Sequence, residues 1–220
     1  RIRNGISEEM ELPFWDERLA YEGARVTESR RRSVDGLNDH AVPAHRDLTD
    51  GDQLELEYRP RITASPDDRP DVGSMTAEQI EQEMKNTIVG LRPREIAQGV
   101  TVMGPHRDDL EIRLNGNAAG QFASRGQART IALSLKLAEA IFVTNSTGRT
   151  PVLALDDVLS ELDPERRRLV LEAATKHEQV LLTSTEPGIV PEQFLETADI
   201  YTVMNGRVTQ DAIASAGSHD

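Results

Sequence analysis

Val152-Leu-Ala-Leu-Asp-Asp157, continuing as Val158-Leu-Ser-Glu-Leu-Asp163, is the passage from which the rest of this chain can be read. Its first four residues are apolar without alternation, the pattern of a strand buried on both faces in a parallel sheet. Such a strand delivers the residues after it to its carboxyl edge, where open α/β sheets bind ligands. Asp156 is then placed to hold Mg2+, directly or through water, and Asp157 to orient or deprotonate an attacking water. On the purely structural reading the paired aspartates only begin a loop and cap a helix. Asp163 and Pro164 are a helix start on either reading: an N-cap carboxylate, a proline at the first helical position, and Glu165 in the first turn.

Upstream, Ser124-Arg-Gly-Gln-Ala-Arg129 opens an apolar helix expected over residues 126–143. A glycine at a helix entrance leaves free backbone N–H groups and the positive end of the dipole open to a phosphate oxygen. Ser124 is equally well explained as a plain N-cap. In this order, with a helix between them, the two passages suggest the distal half of a nucleotide-binding site. A phosphate-cradling loop needs a lysine directly after glycine. Lys85, Lys136 and Lys176 follow Met84, Leu135 and Thr175, so the 220 residues hold no such loop. The chain starts at Arg1 without an initiator Met and is expected to be part of a longer protein.

Composition narrows the class. The length suits one sizeable core or two small domains. The absence of cysteine excludes disulfides and thiolate metal sites and fits a cytoplasmic setting. No apolar run is long enough to span a membrane. The net charge of −13 runs against the basic field usual in nucleic-acid binders. If DNA is a partner, the positive surface is local or lies outside this chain. Arg30-Arg31-Arg32 and Arg166-Arg167-Arg168 are the two candidate patches, and solvated helix faces are the plainer reading of each.

Along the chain, residues 13–48 read as a helix with a broken apolar face of Trp15, Leu19, Ala24, Val26, Val34 and Leu37, made imperfect by Gly23, Gly36 and Pro43. Residues 53–59 alternate as a half-buried strand. Residues 62–74 are a Pro/Asp/Gly loop, and a second helix runs from Thr76 to about Leu91. Asn115-Gly116 and Asn205-Gly206 are hairpin signals. Strands at 152–155, 180–183 and 200–204, alternating with helices at 126–143 and 164–177, predict a mostly parallel sheet covered by helices. Gly104-Pro-His-Arg-Asp-Asp109 reads as a polar turn with no acid/base triad around it.

Together, Gly104-Pro-His-Arg-Asp-Asp109, Ser124-Arg-Gly-Gln-Ala-Arg-Thr130 with its helix, and Leu155-Asp-Asp-Val-Leu-Ser-Glu-Leu-Asp163 resemble the RecF family of bacterial DNA replication and repair proteins, ABC-type ATPases related to the SMC proteins. Trp15-Asp-Glu17 and Leu54-Glu-Leu-Glu-Tyr-Arg-Pro60 extend the likeness to that family's arm. The resemblance implies an α/β fold: an ABC-type P-loop NTPase lobe lacking its phosphate loop, with a helical arm subdomain. The arm would cover residues 1–98, and residues 99–220 would form the distal, carboxyl-terminal part of the ATPase domain.

The resemblance also implies roles. Ser124, Gly126 and Gln127 would be the signature motif, contacting the terminal phosphate of ATP held by the opposite subunit. Asp156 and Asp157 would be the Walker B pair, with Asp156 toward Mg2+, and the segment from Ser160 to Asp163 the D-loop at the dimer contact. ATP and Mg2+ would both need the upstream part, so this chain alone is expected to be inactive. The implied partners are single-stranded and duplex DNA at gaps or junction ends, a second copy in an ATP-dependent homodimer, and mediators of the RecO and RecR type, in replication, recombinational repair and the SOS response. Two departures stand out: Asp157 occupies a position where many ABC ATPases place glutamate, and Ser184-Thr-Glu186 holds no histidine at the expected switch position. Two other readings remain open. Another SMC-like ABC ATPase would favour long heptads, for which these helices are short. A non-catalytic interaction module with a degenerate site is the other, which the retention of Ser124, Gly126, Asp156 and Asp163 argues against.

Overall fold

The computed structural model describes residues 11–65, 70–160 and 162–211. The first part of the chain forms α1 (Leu12–Asp47), β1 (Leu54–Arg59) and α2 (Ala77–Gln98). A short 3-10 turn at Pro105–Arg107 leads into β2 (Asp109–Leu114), β3 (Asn117–Ala118) and the single-turn α3 (Ala119–Phe122). There follow α4 (Arg125–Thr147), β4 (Leu153–Asp156), α5 (Pro164–Ala174), β5 (Val180–Thr183), the short α6 (Glu192–Leu195), and the hairpin β6 (Tyr201–Met204) and β7 (Arg207–Gln210).

The helix starts have the chemistry read from sequence. Thr76 and Gln79 form a reciprocal capping box on α2, and Ser124 and Gln127 do the same on α4. Gly99 and Gly148 end those helices in the left-handed conformation. Both hairpin turns place Asn and Gly at positive φ, 51° and 78° at Asn115-Gly116 and 50° and 75° at Asn205-Gly206, as a type I′ turn requires. α2 continues through Pro93 to Gln98, beyond the end expected at Leu91.

Three sheets form rather than one mostly parallel sheet. β1, β2 and β3 are antiparallel, β6 pairs with β7 antiparallel, and only β4 and β5 pair in parallel. β4 is not buried on both faces: Leu153 and Leu155 are buried while Ala154 and Asp156 are exposed. α4 and α5 cover one face only, packing Leu133, Leu137, Val170 and Leu171 against Leu153 and Leu155. On the other face Val152 and Leu181 stand half exposed beside the strands.

α1 also differs from the expected face. Trp15 and Val26 are exposed, and the buried seam is made of Ala20, Gly23, Ala24, Thr27, Ala41 and His45. Small residues let α1 lie close to both α2 and α4, which it contacts along its length. A Cβ on Gly23 would come within 2.7 Å of Met84 Cε, and one on Gly36 within 2.7 Å of Phe142 Cε2. One core lies between α1 and α2, around Ile62, Ile80, Met84 and Met103. A second lies beneath the antiparallel sheet, where Leu54, Leu56 and Leu114 meet Ala41, Ile131 and Ala138. The β1–β2 ladder runs from Leu54 opposite Leu114 to Arg59 opposite Asp109, so the sheet crosses the line between residues 98 and 99.

Candidate nucleotide-binding edge

Asp156 is the last residue of β4 and stands opposite Thr183, the last residue of β5. The Thr183 hydroxyl donates to Asp156 Oδ1 at 2.5 Å. One residue on, the backbone turns sharply, and Asp157 adopts φ 49°, a left-handed conformation unusual outside glycine. Its N–H is shared between Thr183 O at 3.2 Å and Thr183 Oγ1 at 3.0 Å. Both carboxylates are solvent-exposed at the carboxyl edge of the parallel pair, where the apolar run placed them.

The segment after them is pinned to the core. Leu159 is fully buried and Leu162 nearly so. Ser160 Oγ donates to Asp157 O at 3.0 Å, and Arg167 Nε donates to Leu159 O at 2.9 Å. Asp163 caps α5 by accepting from Arg166 N–H at 3.0 Å, while its second oxygen lies 3.5 Å from Arg166 Nε. Its carboxylate therefore serves its own helix first.

At the start of α4, Ser124 Oγ accepts from Gln127 N–H at 3.2 Å, and Gln127 Oε1 accepts from Ser124 N–H at 2.9 Å. The cap reading of Ser124 is thus correct as far as it goes. A hydroxyl that accepts still has a hydrogen to give, and no acceptor for it occurs among the described residues. Arg125 and Gly126 are exposed, and nothing stands within 4 Å of where a Cβ on Gly126 would lie. The helix entrance offers backbone N–H groups, the positive end of the dipole and a free hydroxyl proton to an incoming oxygen.

The 104–109 turn is a structural joint. Asp108, with 3% of its side chain exposed, accepts from Arg30 Nη1 at 2.9 Å, from the Tyr58 hydroxyl, and from Arg61 N–H at 2.8 Å. Burial and the bond to Asp108 push the Tyr58 phenol above its ordinary range, so it remains a donor. Gly104, at φ 110°, donates its N–H to Arg61 O at 2.7 Å. Sequence reading missed this clamp because its partners lie on α1 and β1.

His45 was missed for the same reason. It is fully buried on α1, with Nδ1 3.0 Å from Ser134 Oγ on α4. Ser134 gives its own hydrogen to Thr130 O at 2.8 Å, so the imidazole donates from Nδ1. His45 Nε2 is left buried without a partner among the described residues. Burial, aided by the nearby Arg166 charge and opposed by Asp52, lowers its pKa.

The arginine runs are occupied by neighbours. Arg30 bonds Asp108 and Pro105 O, Arg31 pairs with Asp35, Arg32 with Glu28, Arg166 with Asp163, and Arg168 with Glu165 and Glu172. Neither run is an open basic patch. The described residues contain no group of three or more His, Asp or Glu that could hold a metal by themselves. None of their helices is long and apolar enough to cross a membrane.

A strand ending in tandem aspartates beside a parallel neighbour, a serine-capped helix entrance and a packed helical arm define an ABC-type ATPase fold, here without a phosphate loop. No protein-family model matches the chain. It is 36% identical over 199 residues to the DNA replication and repair protein RecF of Rippkaea orientalis, covering 90% of this chain and 50% of that protein. To the RecF of Heliobacterium modesticaldum it is 39% identical over 215 residues, covering 96% and 55%. Two solved structures of the recombination mediator protein RecF in the RecFOR pathway are similar in fold. One, with ATPrS, has a TM-score of 0.76 at 27% identity; the other, with ATP, has 0.75 at 26%. Each match covers 96% of this chain, and 53% and 54% of those chains. The chain is similar to these RecF proteins and fits a carboxyl-terminal part of one. It spans about half the length of the curated relatives it matches.

Proposed function

We propose that this chain supplies the distal half of the ATP site of a RecF-type protein acting in DNA replication, recombinational repair and the SOS response in the cytoplasm. Residues 1–98 are its arm and residues 99–220 the distal part of its ATPase domain, jointed through the β1–β2 ladder. ATP sits on a phosphate loop contributed by the remaining half. Asp156 is the metal-side carboxylate. One or two carboxylates completed by phosphate oxygens and water suit Mg2+, which rarely occupies an all-protein cage, and Asp156 Oδ2 carries no hydrogen bond among the described residues. Asp157 orients or deprotonates the attacking water. Ser124, Gly126 and Gln127 meet the terminal phosphate of ATP on a second copy, and the 160–163 segment with Asp163 lies at that contact. Slow hydrolysis then resets a dimer closed on DNA gaps or junction ends, in cooperation with mediators of the RecO and RecR type.

The observation that carries this reading is the free hydroxyl proton of Ser124 at an open helix entrance, in one chain with the edge carboxylates Asp156 and Asp157. The length of α1, 36 residues packed against α2 and α4, favours it over a long coiled-coil SMC protein. The test uses the full-length protein. Ser124→Arg is expected to bind ATP as a monomer yet fail to dimerise with it. Mixed with a second variant broken in its phosphate loop, it should regain part of its hydrolysis, because one composite site then carries both lesions and the other carries neither. Normal ATP-dependent dimerisation and turnover in Ser124→Arg would remove the signature role and with it the main support for this mechanism.

A further inference from the structure

The Walker B reading accounts for Asp156 and Asp157 but not for the side chain that holds both. Thr183 sits opposite Asp156 in the parallel ladder, and a shift of one residue in that register would turn its side chain to the other face. Its hydroxyl both donates and accepts. The single hydrogen goes to Asp156 Oδ1 at 2.5 Å, and a lone pair takes the Asp157 N–H at 3.0 Å. Its carbonyl oxygen accepts from the same N–H at 3.2 Å. Threonine is β-branched, so its χ1 is stiff on a strand and the hydroxyl stays where both bonds need it.

We propose that Thr183 is the positioning residue of the ATPase carboxylates. By occupying Oδ1 of Asp156 it leaves Oδ2 as the oxygen presented at the sheet edge. By holding the Asp157 N–H it keeps that residue in the left-handed turn from which its carboxylate projects. One hydroxyl thereby sets the angle between the metal-side and the water-side carboxylates. Charge-assisted bonds of this kind, to a ligand carboxylate rather than to the metal, orient sites elsewhere, and their loss typically costs about 10- to 100-fold in metal affinity or activity.

The inference rests on Asp156 and Asp157 serving ATP hydrolysis, and the experiment separates the two claims. In the full-length protein, Thr183→Val keeps the shape and removes the hydroxyl, while Thr183→Ser keeps the hydroxyl. Thr183→Val is expected to lower turnover at saturating ATP and to raise the Mg2+ needed for half-maximal turnover, together about 10- to 100-fold. A fluorescent ATP analogue should bind it normally in EDTA but without the gain in affinity that Mg2+ gives the parent protein. Thr183→Ser should recover most of both properties.

Wild-type Mg2+ response and turnover in Thr183→Val overturn the proposal. So does a loss that Thr183→Ser fails to restore, since that marks a structural role. Thr183 is exposed, so Thr183→Ala serves as a second hydroxyl-free variant with the same expectation, and failure of both to fold overturns positioning in favour of structure. Asp156→Ala is the control. If it too turns over normally, the ATPase reading fails; if it alone is inactive, only the Thr183 inference does.

Discussion

Asp108 shows how much of the junction between α1, β1 and the turn before β2 depends on one side chain. Its two oxygens serve a guanidinium on α1, a phenol on β1 and a backbone N–H at Arg61. Removing it leaves the half-buried Tyr58 hydroxyl and Arg61 N–H without their acceptor, while Arg30, with 48% of its side chain exposed, can turn to water. Asp108→Ala is therefore expected to destabilise the fold by about 2–3 kcal/mol, a cost set by orphaned donors more than by a lost ion pair. Equilibrium denaturation would measure it, and a change under about 0.5 kcal/mol would mean that water replaces the carboxylate at no cost. Neighbouring Asp109 carries no such load, being exposed, with its Oδ1 accepting only its successor's N–H.

Between elements, the contact of α1 with α4 carries a pH dependence whose sign follows from His45. Ser134 on α4 bonds its ring, and the charges of Asp52 after α1 and Arg166 on α5 act on it. Burial and Arg166 favour the neutral imidazole, so the folded pKa lies below the ordinary value of 6.5. The unfolded chain takes up a proton near 6.5 and the folded one does not. Stability is thus full above about pH 6.5, falls as pH drops toward the folded pKa, and levels off below it. His177, also lowered by burial, adds to the same trend. His45→Leu is expected to reduce the fall in unfolding free energy between about pH 7.5 and about pH 5.5, and to remove the orphaned Nε2. An unaltered pH profile would assign that fall to other groups.

For the whole molecule, the open face of the β4–β5 pair and the β6–β7 hairpin dominate behaviour in solution. Val152, Leu181, Val203, Met204 and Val208 are each more than half exposed. β6 and β7 join no other strand among the described residues. Apolar surface beside unpaired strand edges drives association. This chain by itself is expected to self-associate at micromolar concentration and to show no Mg2+-dependent ATP hydrolysis. Sedimentation and a phosphate-release assay test both; a monodisperse monomer would mean that this surface is tolerated in water, and turnover abolished by Asp156→Ala would mean that the site needs no further half.

The residues themselves determined whatever depends on near neighbours. The helix starts at Thr76 and Ser124, the Asp163-Pro164 start of α5, both Asn-Gly turns, the last residue of β1 and both ends of β5 were legible because each is set by hydrogen bonds or steric limits spanning a few residues. The order of Ser124, Gly126, Asp156 and Asp157 was legible too, since spacing along one chain needs no third dimension. Only the tertiary structure decided which stripe of α1 is buried, because close approach to two partners selects small residues over the larger Trp15 and Val26. It also decided that one face of β4 stays open, since the apolar run specifies insolubility in water and not what covers it. The pairings Asp108 with Arg30 and Tyr58, His45 with Ser134, and Thr183 with Asp156 span 27 to 89 residues. No local pattern encodes them: they exist because packing and strand register bring distant polar groups together where burial or a shared sheet edge makes each bond count.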